Sequence, residues 1–211
     1  MKTLKTKKLS YIAISVLSLG FLASCDNNNS DDNLDANLLE NNLIQTDKES
    51  LLFMLEEEKL ARDTYNYLDN LWNITAFSNI KNSEQSHMNA VSNLLTQYNI
   101  TYDILPQGEF ANQELQELYN QFVINGQIDA VNALKIGALI EDLDIVDFEN
   151  YMNSITNNDI ILVYQSLQCG SRNHLRSFVS TLSTYNATYA PQFLSQQEYD
   201  FIVSSDKESC N

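Results

Sequence analysis

Glycine and proline are scarce, at five and two of 211 residues. Tight turns and chain breaks depend on these two residue types, so their shortage points to long helices with few interruptions. Basic residues are scarce too: 12 Lys and Arg stand against 28 Asp and Glu. An acidic surface of that kind repels phosphate, which argues against nucleic acid as a partner. No Cys-x-x-Cys spacing occurs, which disfavours thiolate zinc sites and thioredoxin chemistry. There is no motif for binding flavin, haem or nicotinamide and no repeat at solenoid periods, and the two histidines are His87 and His174.

What is present begins with an export signal. Residues 1–10 hold four lysines and no acid, residues 11–23 carry no charge, and Leu22-Ala23-Ser24 brings small residues up to Cys25. The apolar run is too short to span a bilayer. Its end resembles a lipobox, so residues 1–24 are expected to be a lipoprotein signal peptide, with lipid attached to Cys25 after cleavage. The expected product is a lipid-anchored bacterial lipoprotein of the cell envelope, facing the periplasm or the cell surface, with the membrane as its partner. Loss of Lys2, Lys5, Lys7 and Lys8 lowers the basic count from 12 to 8 against 28 acids, a net charge of about −20. Cys169 and Cys210 then lie where disulfides are permitted, but their spacing in sequence leaves their pairing open.

Residues 25–45 are rich in Asn and Asp and suit a flexible tether reaching about 25 Å on average. Residues 46–205 carry the helical body, and residues 206–211 a tail. The sequence Thr46-Asp47-Lys48-Glu49 resembles a capping box that opens a first helix ending near Leu71. A second helix is expected from Ser78 to Tyr98, followed by a loop through Pro106 and Gly108. A short helix from Asn112 to Val123 stops near Asn125-Gly126. Long helices follow from Asp129 to Met152 and from Asn158 to Tyr185. Beyond Pro191, Ser195-Gln196-Gln197-Glu198 can cap a last short helix. The expected fold class is all-α: a four-helix bundle with a long crossover containing a short helix, plus a short C-terminal helix.

The apolar stripe of each long helix is broken near its middle by a polar group. Glu58 interrupts the first stripe, Glu84 and His87 the second, Glu141 and Asp144 the third, and Ser171 and His174 the fourth. An ionised carboxylate in a core must be protonated, paired or bound to a cation. Lys and Arg are rare on these stripes, and acids and imidazoles three residues apart share one helical face. A single inward His or Glu is more often a hydrogen-bonded core residue, but central interruptions on four helices together favour a metal site. Tyr65 and Tyr98 read as core aromatics. Of the run Glu56-Glu57-Glu58, only Glu58 lies on the stripe, and the others read as a solvated face. Arg172 and Arg176 are expected to face water or pair with acids.

The segment from Glu58 to Tyr65 resembles the first-helix pattern of rubrerythrin-type proteins of the ferritin-like superfamily. Glu84-Gln-Ser-His87 matches their Glu-x-x-His signature. More closely, residues 56–63, Ile140-Glu141-Asp142-Leu143-Asp144-Ile145 and residues 171–178 resemble a ferritin-like family of unassigned function, domain-of-unknown-function family 2202. The resemblance spans Leu51 to Ile202. It departs from the superfamily pattern at Ser171, where a second Glu-x-x-His would place a carboxylate, and Asp144 can replace that group from the third long helix.

The resemblance implies Glu58, Glu84, His87, Glu141, Asp144 and His174 as ligands for one or two ions, with Glu58 bridging. Oxygen and imidazole donors without thiolate suit iron or manganese, with zinc an alternative. The superfamily further implies a di-iron or di-manganese oxidoreductase or ferroxidase acting on oxygen or peroxide, with an external electron donor. Tyr65 would then supply a hydrogen bond or an electron. A non-catalytic metal-binding or partner-binding role for the same bundle is the alternative.

Overall fold

The computed structural model describes residues 43–210. The signal peptide, Cys25 and most of the tether lie outside the described residues. The regular elements of the described residues are all helices, with no strand: α1 Gln45–Trp72, α2 Thr75–Gln97, α3 Gln113–Gly126, α4 Ala130–Met152, α5 Asn158–Thr184 and α6 Gln196–Ser204. No described helix is long and apolar enough to cross a membrane.

Local signals set most of the helix ends. Asn112, Asp129 and Asn157 each accept backbone N–H groups as N-caps. Ser195 and Glu198 form the expected capping box of α6. The opening of α1 differs from expectation. Its N-cap is Ile44, with no side-chain cap, so Thr46 lies inside the helix. Tertiary docking takes over here: Asp47 is buried and its Oδ1 accepts the Thr156 N–H at 3.2 Å, tying α1 to the α4–α5 turn.

Only Asn73 and Ile74 separate α1 from α2, and Asn73 adopts the left-handed conformation (φ 49°) that ends α1. The two helices must therefore run antiparallel. Trp72 at the end of α1 donates to the Gly126 carbonyl at 2.8 Å, just before α4 begins, while Asp47 at its start meets Thr156 after α4 ends. α4 thus opposes α1 and runs parallel to α2. α5 opposes both α2 and α4. The connection from α2 to α4 must return along the bundle, and α3 with its preceding loop makes that crossover against α1 and α4.

α1 grips the crossover through charged side chains. Buried Lys59 donates to Asp63 Oδ2 at 2.6 Å and to the Pro106 and Glu109 carbonyls at 3.0 Å, and it lies over the Phe110 ring. Asp63 also accepts the Gly108 N–H, and Glu56 accepts those of Ala111 and Asn112. Beyond α6, residues 206–210 fold back on α5. Glu208 sits between Arg172 and Arg176, and Cys210 is disulfide-bonded to Cys169.

The core has two apolar clusters. One gathers Tyr65, Phe77, Leu134 and Phe178 with the crossover side chains Phe110 and Phe122. The other gathers Leu51, Met54, Met88, Val91, Phe148 and Tyr164. The first uses the end of α1 and the start of α2; the second uses their opposite halves. Between them lies a layer of buried polar side chains.

Candidate metal centre

That polar layer contains every residue expected to bind metal. Glu58, Glu84, His87, Glu141, Asp144 and His174 are all buried. Each lies on the inward face of its helix because the apolar residues on either side of it belong to the two clusters. Ligand atoms of Glu58, Glu84 and His87 lie within 4.8 Å of one another, as do those of Glu84, Glu141 and His174. Glu84 belongs to both triads. Its Oε2 is 2.8 Å from His87 Nδ1 and its Oε1 is 2.8 Å from His174 Nδ1. The residue shared by the triads is therefore Glu84, where Glu58 was expected. Helix α2 runs between α1 and α5, so its carboxylate reaches both histidines, whereas Glu58 meets one of them, His87, at 3.1 Å.

Apart from the Glu58–His87 hydrogen bond, short distances here do not make good hydrogen bonds. Glu58 Oε1, Glu84 Oε1, Glu141 Oε2 and His174 Nδ1 are buried without a hydrogen-bond partner. His174 Nδ1 is 2.8 Å from Glu84 and 3.4 Å from Glu141, yet neither contact has hydrogen-bonding geometry. Donor atoms that crowd together without bonding one another are arranged as ligands around a shared point would be. The residues present fit a divalent cation.

The electrostatics agree. Burial drives the Glu58 carboxyl up to about 8 against the pull of His87, and Glu141 up to about 7 against that of His174. Burial also favours the neutral form of Glu84, but His174 and His87 overcome it and hold that carboxylate well below its ordinary range. Burial disfavours charge on both imidazoles. Glu58 and Glu84 nonetheless raise His87 well above its usual value, and Glu84 with Glu141 raises His174 to about 10. The acids thus hold positive charge on the rings, and a metal ion would take the place of those protons.

Surrounding groups orient the donors. The Tyr65 hydroxyl donates to Glu141 Oε1 at 2.6 Å, and His174 Nε2 meets the Ser83 hydroxyl at 2.9 Å. Gly170 faces the His87 ring: a Cβ there would sit 2.7 Å from Nε2, so only glycine leaves room for the imidazole. Ser171 is buried and bonds back to the Leu167 carbonyl at 3.3 Å, so it adds no ligand. Both histidines open onto a cleft of about 1040 Å³ between α2, α5 and residues 205–210.

Asp144 is buried but belongs to neither triad, and both its oxygens lack partners. Glu57, read from sequence as solvated, is buried with both oxygens unpartnered. Nor is Glu56 simply solvated, since it holds the crossover. The reason is coverage of α1 by α4 and by the crossover loop as well as by α2, so three faces of the helix are occupied where one stripe was expected. The buried charges Lys59, Asp63 and Asp142 were also missed, because their partners lie far away in sequence.

A helical bundle with buried carboxylates and histidines facing one another defines the class of the protein. The chain belongs to the uncharacterized domain family DUF2202, which matches residues 47–206. It is 48% identical over 166 residues to uncharacterized protein MJ0754 of Methanocaldococcus jannaschii, spanning 78% of this chain and 90% of that one. The crystal structure of hypothetical protein MJ0754 superposes with a TM-score of 0.78 at 47% identity, covering 79% of this chain and 97% of the other.

Proposed function

We propose that the protein is a ferritin-like metal-binding protein of the cell envelope, of the oxidoreductase or ferroxidase type, in which each of the two triads that share Glu84 would hold an ion. The observation that carries this reading is the division of Glu84's oxygens between two buried histidines, each at 2.8 Å. Glu58 and His87 would hold one ion with Glu84, and Glu141 and His174 the other. Iron or manganese suits this donor set, with zinc as the non-redox alternative. Bound iron or manganese would supply one-electron chemistry toward oxygen or peroxide. The protein supplies the rest: Tyr65 holds a proton at Glu141 Oε1, Ser83 orients the His174 ring, and the cleft gives a small oxidant a way in.

Lipid on Cys25 would tether this body to the membrane. The Cys169–Cys210 disulfide supports a compartment outside the reducing cytosol. The test is to load ferrous iron without oxygen, then admit air or peroxide and follow near-ultraviolet and visible absorbance. Oxidation over many equivalents per chain is expected of an oxidoreductase or ferroxidase. Stable binding without oxidation would leave a metal-binding protein only, and no binding would refute the reading.

A further inference from the structure

The side chains of the two triads are not equally hidden. Glu58, Glu84 and Glu141 are at most 1% exposed, whereas His87 and His174 keep 8% and 9%, and both imidazoles line the cleft between α2 and α5. A small molecule that uses this cleft therefore meets the imidazoles first. One wall of the cleft is not helix: Ser205 to Glu208 and Cys210 form it, beyond the end of α6. This wall is fastened to one side. Arg176 donates to Ser205 Oγ at 2.8 Å and to Glu208 at 2.7 Å, and Arg172 donates to Glu208 at 2.9 Å. Asn173 exchanges hydrogen bonds with the Glu208 backbone at 2.9 and 3.1 Å. These partners all belong to α5, as does Cys169, to which Cys210 is disulfide-bonded. Among the described residues, no hydrogen bond or ion pair joins residues 205–210 to Asn79, Ser83 or Ser86 on the α2 side. The disulfide also adjoins the centre itself, because Cys169 precedes Gly170, whose missing side chain leaves room for the His87 ring.

We infer that residues 205–210 are a strap over the two imidazoles and that the Cys169–Cys210 disulfide is its latch, so that thiol–disulfide exchange sets how fast small molecules reach His87 and His174. The use of such access rests on the metal-centre reading above, but the strap stands on its own contacts. Cys169 is buried and Cys210 exposed, so a reductant meets the latch at Cys210. A dithiol supplies the two electrons. Its thiolate bonds to the Cys210 sulfur, and Cys169 leaves as a thiolate and takes a proton. The second sulfur of the dithiol then displaces Cys210 as a thiol and closes the reductant into a disulfide. What still holds the strap are bonds to Arg172, Asn173 and Arg176 near the surface, which water can replace. The competing explanation is a disulfide that only stabilises the fold.

The chain's two histidines make the test direct. Diethyl pyrocarbonate acylates imidazole, and mass spectrometry counts the modified His87 and His174 in the full chain. In chelator, Cys210→Ser should be acylated at least about 10-fold faster than the disulfide-bonded chain. The unaltered chain should match it after reduction by a phosphine, which takes up the oxygen of water and leaves two thiols. Phosphine should not accelerate Cys210→Ser further. Equal rates with the disulfide closed and open, well below the melting temperature, overturn the strap; a purely stabilising disulfide would lower that temperature and leave the rates alone. Fluorescence of Trp72, the chain's one tryptophan, reports on the rest of the bundle and should stay constant. A change that parallels acylation overturns the strap in favour of general loosening. Titration with Mn²⁺ keeps the two readings apart: histidines that respond to the latch in a chain that binds no ion keep the strap and remove the metal centre. Bound ion with unresponsive histidines does the reverse.

Discussion

Asp142 and Asp144 stand two residues apart on α4, and both are removed from water, at 0% and 1% exposure. Their surroundings are opposite. Asp142 faces the segment after α5, where the Tyr189 hydroxyl and the backbone N–H groups of Gln192, Phe193 and Leu194 all donate to it. Asp144 faces the bundle interior, among Glu57, Glu141 and Glu58, with no donor on either oxygen. The first arrangement is a clamp that ties a long loop to a helix, as Asp63 does for the crossover. The second is a concentration of negative charge without compensation. Burial alone therefore does not separate structural acids from functional ones; the supply of donors does.

Removing a clamp should break this comparison most visibly. Asp142→Ala leaves three backbone N–H groups and a phenol without an acceptor, so stability should fall by about 3 kcal/mol or more. Urea unfolding would measure it, and a loss below about 1 kcal/mol would mean that water replaces the carboxylate.

The converse substitution is Glu58→Gln. Its carboxyl is already pushed toward neutrality by burial, so in chelator the variant should melt no lower than the unaltered chain. Metal affinity should nonetheless fall by more than about 100-fold, since groups that only orient ligands are worth about 10–100-fold. Isothermal titration with Mn²⁺ or Fe²⁺ reads this, and a clear loss of stability in chelator would place Glu58 among the clamps.

Gly170→Ala sharpens the comparison without touching an acid. The added methyl meets the His87 imidazole at 2.7–2.8 Å and must displace it, weakening metal binding by about 10-fold. Unchanged affinity would show that the ring is free to shift.

The smallest effect is expected at the surface. Arg172 holds Glu208 down to about 2, with Arg176 assisting against burial. A carboxyl lowered on folding contributes stability above its ordinary value of about 4, and loses that contribution as pH falls toward 2. Glu208→Gln should therefore lower the melting temperature slightly near neutral pH, and the difference should vanish near pH 2. A difference that is constant across this range would assign the effect to packing.

Much of this was legible without coordinates. The polar breaks at Glu58, Glu84, His87, Glu141 and His174 stand out because a helical stripe repeats strictly enough for any exception to show. The caps at Asn112, Asp129 and Ser195 act within one turn, so neighbouring residues reveal them. Glu57 was hidden for the opposite reason: the pattern of α1 records one apolar face, while α4 and the crossover cover others. The division of labour between Asp142 and Asp144 was equally hidden, since their surroundings come from α1 and from a loop some fifty residues downstream.

Periodicity and capping thus dictate the all-helical character, most of the helix starts and the inward placement of the two imidazoles, because those properties depend on spacing along the chain. Which carboxylate is shared by both histidines, which acids are satisfied, and that Cys169 lies beside Cys210 emerge only on folding. Each of these is a matter of distance between segments that the chain keeps far apart until the helices pack.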